Sequence, residues 1–321
     1  GVSIASAATF SRIAYPEMRR FGYNRSYALG VISGSACLGM LIPPSVLLIV
    51  WAILTEGSVG ALFLGGVIPG VVLGLAFISY CVIAAIRNPS LAPTANHGHD
   101  KQLQTKGSSS QLIGGLGVSA LIVLVLGGLW GGLFTPTEAA GFGVLGSILI
   151  GWMKNMSYRD FIQAVYDAGR STAPIMFLLI TGSMYSRLLA TSGGVNLVQS
   201  LFSDSGLPIF GIILIMAAIW LLLGMVIDSI SVILITVPIF APLALTAGVD
   251  EIAFAIFGIL IIEAGLLTPP VGLLVFTVKA AVPDSSVKLG EIFKGSLPYW
   301  LLILAVAFLI YAIPEIASWL P

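Results

Sequence analysis

The chain has 321 residues, of which 58% are hydrophobic and 9% charged, with a mean hydropathy of +1.06. Soluble domains carry roughly 25% charged residues, so most of this chain belongs in lipid. Its 14 basic and 14 acidic residues cancel, leaving no basic excess for nucleic acid, and Cys37 and Cys81, both in apolar sequence, offer neither a disulfide framework nor a metal cluster.

Residues 1–14 read as the second limb of a helical hairpin whose tip is Gly1–Ser6. Arg12, Glu17, Arg19, Arg20 and Arg25 follow as a basic loop, which the positive-inside rule places in the cytoplasm. Residues 27–55 are too long for one span, and Pro43-Pro44 divides them into two half-helices. An outer loop at 55–58 leads to a full span over about 60–86, completing a first repeat at 1–87. Residues 88–110 are polar, with a Gly-Ser-Ser-Ser run, and read as a cytoplasmic linker. Its His97-x-His99 pair reads as incidental, because zinc needs further ligands that are not nearby.

A second repeat is expected over 111–321. It opens with two scaffold spans, about 111–134 and 138–153, joined by Thr135-Pro136-Thr137. Residues 157–171 start on Ser157 and Asp160, resembling a capping box, and alternate apolar and charged residues at helical spacing. This amphipathic helix lies in the membrane interface or connects neighbouring helices. A span at 173–190 leads to a hairpin at 208–245, whose closing loop Gly248-Val249-Asp250-Glu251 has no Lys or Arg and so belongs outside. A broken helix at 252–279 returns to the cytoplasm at Lys279, and a terminal span at 298–319 ends outside.

The offset that carries Gly39 onto Gly265 also carries Ser3 onto Ser229, Pro16 onto Pro242, Gly22 onto Gly248 and Pro43-Pro44 onto Pro269-Pro270. Such ungapped agreement indicates a duplication. One hairpin closes in a basic loop and the other in an acidic one, so the copies insert upside-down relative to each other. The expected fold is therefore an all-α integral membrane protein of inverted repeats, with helical re-entrant hairpins and broken transmembrane helices. The first copy lacks counterparts of what precedes Gly224 in the second, so an upstream portion of roughly a hundred residues is expected.

Inverted repeats place the site where hairpin tips meet helix breaks. Each break ends a half-helix on carbonyls that nothing within the helix satisfies, and these suit a small cation such as Na⁺. The candidates are Ser3, Ser6 and Gly39 in the first copy, and Asp228, Ser229, Ser231, Gly265 and Thr268 in the second. The second half-helices begin near Pro43, Pro44, Ser45 and near Pro269, Pro270, Gly272, where their positive ends face an anionic substrate group such as a carboxylate. Each hydroxyl has an alternative use on its own backbone, and Asp228 could cap the hairpin tip. Glu263 is a proton carrier, an ion ligand or a strut between helices. A channel would need a continuous polar stripe along a full span, and none is apparent. An intramembrane enzyme would need a catalytic or metal-ligand constellation at depth, yet the two histidines lie in the linker.

Ala14-Tyr15-Pro16-Glu17-Met18-Arg19-Arg20-Phe21-Gly22-Tyr23, Gly39-Met40-Leu41-Ile42-Pro43-Pro44-Ser45 and Gly265-Leu266-Leu267-Thr268-Pro269-Pro270-Val271-Gly272 resemble the large (M) membrane subunit of TRAP transporters, the tripartite ATP-independent periplasmic family. The resemblance implies a multi-pass permease of the bacterial inner membrane, surrounded by lipid. It implies elevator-type, sodium-coupled import of carboxylate-bearing solutes such as C4-dicarboxylates or sugar acids, with no cofactor beyond the coupling ion. A proton-coupled organic-anion carrier of a related family is the alternative. It further implies a small membrane Q subunit and a periplasmic binding P subunit, and makes helix 157–171 an arm between transport domain and scaffold. Where relatives often carry Asn after the Pro-Pro-Val-Gly run, this chain has Leu273 and Leu274.

Overall fold

The computed structural model describes residues 1–93, 109–204 and 206–321; His97, His99 and most of the expected linker lie outside them. Among the described residues every regular element is an α-helix, and five helical stretches are long and apolar enough to cross a membrane. The chain forms two compact units, Gly1–Thr94 with Thr181–Pro321, and Ala95–Ile180.

In the second of these units α6 (Ser109–Trp130) packs against α7 (Pro136–Met153). Helix α7 starts on a capping box: Glu138 N donates to Thr135 Oγ1 at 3.3 Å, and Thr135 N donates to Glu138 Oε2 at 2.8 Å. The same device opens α8 (Tyr158–Thr191), where Asp160 N donates to Ser157 Oγ and Ser157 N to Asp160 Oδ2, both at 3.2 Å. The sequence predicts an amphipathic helix ending at 171 and a separate span after it; the structure has one continuous helix of 34 residues. Pro174 removes only one backbone donor, and no turn-forming run accompanies it, so the helix persists.

The larger unit holds both copies of the duplicated motif. In the first, α1 (Ser3–Arg20) is followed by α2 (Arg25–Ala36), α3 (Leu38–Leu41), a break, α4 (Val46–Thr55) and α5 (Val59–Arg87). In the second, α9 (Gly194–Asp204) and α10 (Ile209–Gly224) precede α11 (Ser229–Thr246), α12 (Glu251–Gly265), a break, α13 (Leu273–Ala281), α14 (Leu289–Ala312) and the short α15 (Glu315–Ser318). Helix α1 begins and ends on residues equivalent to those of α11, and α2 begins on the equivalent of the first residue of α12. The turns between the paired limbs carry Gly22 at φ +79° and Gly248 at φ +81°, a left-handed conformation that glycine adopts without steric cost. Asn24 then caps α2 by accepting from Tyr27 N, as Asp250 caps α12 by accepting from Ala253 N.

Two expected boundaries move. Helix α1 runs through Pro16 to Arg20, leaving only residues 21–24 as loop where the basic residues predict one from Arg12. Helix α14 begins nine residues before Pro298, the expected start of the terminal span, because Glu291 Oε2 accepts from Lys288 N at 2.9 Å and closes the first turn there. Pro298 then lies inside the helix, where it removes one backbone donor as Pro174 does in α8.

The two copies run in opposite directions. Arg25, at the start of α2, bridges Asp284 at 3.2 Å, just after the end of α13. At the other end, a Cβ on Gly57, just after α4, would lie 3.1 Å from Glu251 Oε1, at the start of α12. The path α2–α4 therefore starts where α12–α13 finishes. Helix packing is exchanged in the same sense, since α1 packs on α13 and α11 on α4. Arg19, Arg20, Arg25, Lys279 and Lys288 share one end, whereas Glu56, Asp250 and Glu251 share the other, the charge asymmetry that the positive-inside rule describes.

Helix α12 is the centre of the unit: every residue from Ala253 to Gly265 is buried, as expected of a helix apolar all round. Trp51 of α4 and Trp220 of α10 stack around Phe254 with ring centroids 5.3–6.0 Å apart. By contrast, α5 exposes Val71, Leu75, Ile78, Val82 and Ile86 along one side, a surface suited to lipid.

Candidate functional site

Each tip sits against its own break. A Cβ on Gly1 would lie 2.6 Å from the Pro44 carbonyl oxygen, Val46 N donates to Gly1 O at 3.2 Å, and a Cβ on Gly39 would lie 3.0 Å from Ser6 Oγ. In the second copy Gly272 N donates to Met225 O at 3.0 Å, while a Cβ on Gly265 would lie 2.8 Å from Leu221 O. Small residues at these four points let backbone approach backbone.

The breaks differ in what they leave open. Among the described residues the carbonyls of Gly39 and Leu41 receive no hydrogen bond outside a helix ladder, and Pro43 and Pro44 have no N–H to supply one. The second break is more closed. Gly265 O accepts from Thr268 N and Thr268 Oγ1, Leu266 O accepts from Leu274 N, and Leu267 O accepts from Ser296 Oγ. The sequence predicts open carbonyls equally at both breaks; in the second, Thr268 closes Gly265 O through both its N–H and its hydroxyl. Both Pro-Pro bonds are cis.

The side chains divide similarly. Asp228 is the N-cap of α11, accepting from Ser231 N at 3.0 Å and from Ser231 Oγ at 2.5 Å, and Ser6 Oγ turns back to Val2 O. Ser45 is buried, caps α4 through Leu48 N and donates to Met40 O. Pro44, Pro269 and Pro270 are exposed, whereas Pro43 and Gly272 are buried. Helix α13 has no side-chain cap, but Leu274 N donates to Leu266 O and Val275 N and Phe276 N to Gly272 O, which leaves Leu273 N as the open donor at the positive end of its dipole.

Ser3, Ser229 and Glu263 are brought together, all at most 4% exposed. Ser229 Oγ donates to Glu263 Oε1 at 2.8 Å. The Ser3 hydroxyl is among the groups acting on the same carboxyl, although neither Ser3 Oγ nor Glu263 Oε2 has a hydrogen-bond partner. Cys37 Sγ makes a long contact, 3.9 Å, to the Glu263 backbone carbonyl. Cys37 went unremarked as a site residue, yet the repeat offset was the signal, because it carries Cys37 onto Glu263 as it carries Ser3 onto Ser229. Equivalent residues that touch lie on the pseudo-two-fold axis.

Three cavities lie away from the breaks. One of about 370 Å³ is lined by Gln199, Phe202, Leu207, Ile212, Leu243 and Thr246, and one of about 200 Å³ by Thr55, Glu56, Ser186, Pro238 and Pro242; neither touches a break. In the smaller unit a groove of about 530 Å³ includes Leu121, Val144, Ile148, Phe161 and Val165.

Residues 1–316 match the family described as tripartite ATP-independent periplasmic transporter, DctM component. The chain is 30% identical over 324 residues to the C4-dicarboxylate TRAP transporter large permease protein DctM of Pseudomonas aeruginosa, covering all of this chain and 73% of that protein. It is 29% identical to the ectoine TRAP transporter large permease protein TeaC of Halomonas elongata, over 95% of this chain and 70% of that one. The crystal structure of the YdaH transporter of Alcanivorax borkumensis superposes with a TM-score of 0.50 at 13% identity, covering 97% of this chain and 82% of that one, a likeness of fold alone.

Proposed function

Because this chain belongs to the DctM component family of tripartite ATP-independent periplasmic transporters and is thereby a large permease subunit, not an enzyme, we propose that it carries carboxylate-bearing solutes inward on a sodium gradient, across the bacterial inner membrane. A small membrane Q subunit and a periplasmic P subunit that delivers the solute complete the machine. One observation supports this reading above the rest: two hairpin tips of opposite orientation, each seated against a helix break, with unpartnered oxygens between them. The carbonyls of Gly39 and Leu41, the Ser3 and Ser229 hydroxyls and the ends of α3 and α12 supply partial negative charge for Na⁺. The start of α13, where Leu273 N is left open beside exposed Pro269 and Pro270, offers a donor and the positive end of a dipole to a carboxylate. Thr268 and Asp228 support the tips through Gly265 O and the start of α11. In an elevator cycle the larger unit's tips and breaks move as a body, with α8 as the arm.

The test is uptake into proteoliposomes holding the permease with both partners and a labelled dicarboxylate or sugar acid. Uptake is expected to follow the inward Na⁺ gradient and to stop when choline replaces sodium. Full uptake on a proton gradient without Na⁺ would refute sodium coupling.

A further inference from the structure

An ionised carboxylate buried in apolar surroundings is costly unless its charge is matched. Glu263 is 1% exposed and holds a single side-chain hydrogen bond, from Ser229 to Oε1, while Oε2 has none. The groups acting on it are Ser229, Ser3 and Cys37, with no Lys, Arg or His among them. Of the charged residues on or beside the elements packed against α12, Glu291 is bridged by Arg25 of α2, which also bridges Asp284; Asp228 is spent on Ser231, and Arg87 is exposed at the far end of α5. Glu56 and Glu251 sit at the outer ends of α4 and α12, and Lys294 and Glu315 lie on α14 and α15, towards the surface. Among the described residues none supplies the counter-charge.

Two orphan atoms point to what does. Ser3 Oγ, 0% exposed, and Glu263 Oε2 are both buried and unpartnered. Buried polar atoms of native proteins nearly always have a partner; of the four exceptions among the described residues, Ser11 Oγ and Trp51 Nε1 stand apart, while these two oxygens belong to groups that act on each other. The Cys37 thiol is turned to the Glu263 backbone, so the atoms left open are all oxygen, the ligand set of a hard cation.

We propose that Glu263 Oε2, with the hydroxyls of Ser3 and Ser229, ligates a dehydrated monovalent cation, Na⁺, on the pseudo-two-fold axis, distinct from any ion held within one copy by its own break. This deepens the sodium-coupled reading and rests on it. Ser3 heads α1 and Ser229 heads α11, one tip from each copy. Filling the axial seat therefore requires both tips to be closed at once, and either tip opening removes a ligand. That links the two halves of the site: an ion here reports the state of both hairpins to each other.

The experiment is Na⁺ binding to the purified permease with its small membrane partner, read as ²²Na⁺ stoichiometry and as Na⁺-induced thermal stabilisation at constant ionic strength with choline. Glu263→Gln, which keeps shape and removes charge, is expected to bind one Na⁺ fewer than the parent. Ser3→Ala is expected to weaken the apparent Na⁺ affinity about tenfold. An undiminished stoichiometry in Glu263→Gln, as expected if the acid holds a proton or acts as a strut, overturns the proposal. Should Glu263→Gln fail to fold, unchanged Na⁺ affinity in both Ser3→Ala and Ser229→Ala overturns it equally. If the parent binds no Na⁺, the sodium reading falls and this site with it; if the parent binds and the variants bind alike, only this site falls.

Discussion

Helices α2 and α14 cross at Gly30 and Gly295 with almost no space between backbones. A Cβ on Gly295 would lie 2.1 Å from Ser26 O, and one on Gly30 would lie 2.2 Å from Gly295 O. The closest comfortable carbon–oxygen approach is about 3.3 Å, so Gly295→Ala must part the helices by about 1 Å. Overpacking of that order costs about 1–3 kcal/mol. It also stretches the bond from Ser26 Oγ to Glu291 O, now 2.8 Å, out of hydrogen-bonding range, a further loss of about 1 kcal/mol. Against this stands a gain of about 0.5–1 kcal/mol from exchanging glycine for alanine in a helix, leaving a net loss of roughly 1–3 kcal/mol. The control is Gly74→Ala on α5, whose Cβ would meet nothing within 4 Å and which keeps only the gain. Thermal unfolding of the purified permease in detergent, followed by fluorescence-detected size exclusion, compares them. The same melting temperature for both variants would refute the argument, since it would mean that the two backbones do not limit each other.

Thr236 Oγ1 accepts from Trp220 Nε1 at 2.7 Å in the buried aromatic cluster. Thr236→Val leaves the indole N–H unpartnered and is expected to cost about 1–3 kcal/mol, read by thermal unfolding. Asp228→Ala removes the cap of α11 and should cost about 1 kcal/mol, whereas Asp228→Asn keeps the cap and most of the stability; a large loss in the Asn variant would mean that the charge itself is needed. Two hydrogen bonds from Ser286 hold the Asp284 carboxyl below its usual value of 3.8, and Tyr15 and Arg25 add to this. A depressed carboxyl contributes stability that is present above its unfolded pKa and lost as pH falls through the lower folded one. Ser286→Ala should therefore lessen the part of acid unfolding that develops below about pH 3.8, and an unchanged acid limb would count against this bond. Cysteines placed at Arg19 and Asp250 should label from opposite compartments; labelling from the same one would end the inverted reading.

Much of the fold was legible because it rests on short local signals. Pro43-Pro44 and Pro269-Pro270 stop helices wherever they occur, Gly22 and Gly248 turn the chain, and Asn24 and Asp250 begin the next helix by capping it. The extent of α1, α8 and α14 was less legible, because whether Pro16, Pro174 or Pro298 ends a helix depends on flanking turns and caps. Within the site, composition could not tell that Ser45 and Ser6 bond their own backbone while Ser3 bonds nothing. That difference is one of side-chain direction and tertiary contact. The Ser229–Glu263 bond likewise joins residues 34 apart in sequence, beyond the reach of helix periodicity.

The meeting of Cys37 with the Glu263 backbone has a consequence for how such a chain can come from doubling. Two identical halves folded about this axis would set the same side chain against itself. With an acid in both places, two anions would share one dry pocket and repel strongly; with a thiol in both, the spot would hold no charge at all. An acid on one side and a thiol on the other allows a single negative charge at the centre. The position where the halves are geometrically most alike is therefore the one where their chemistry has to differ.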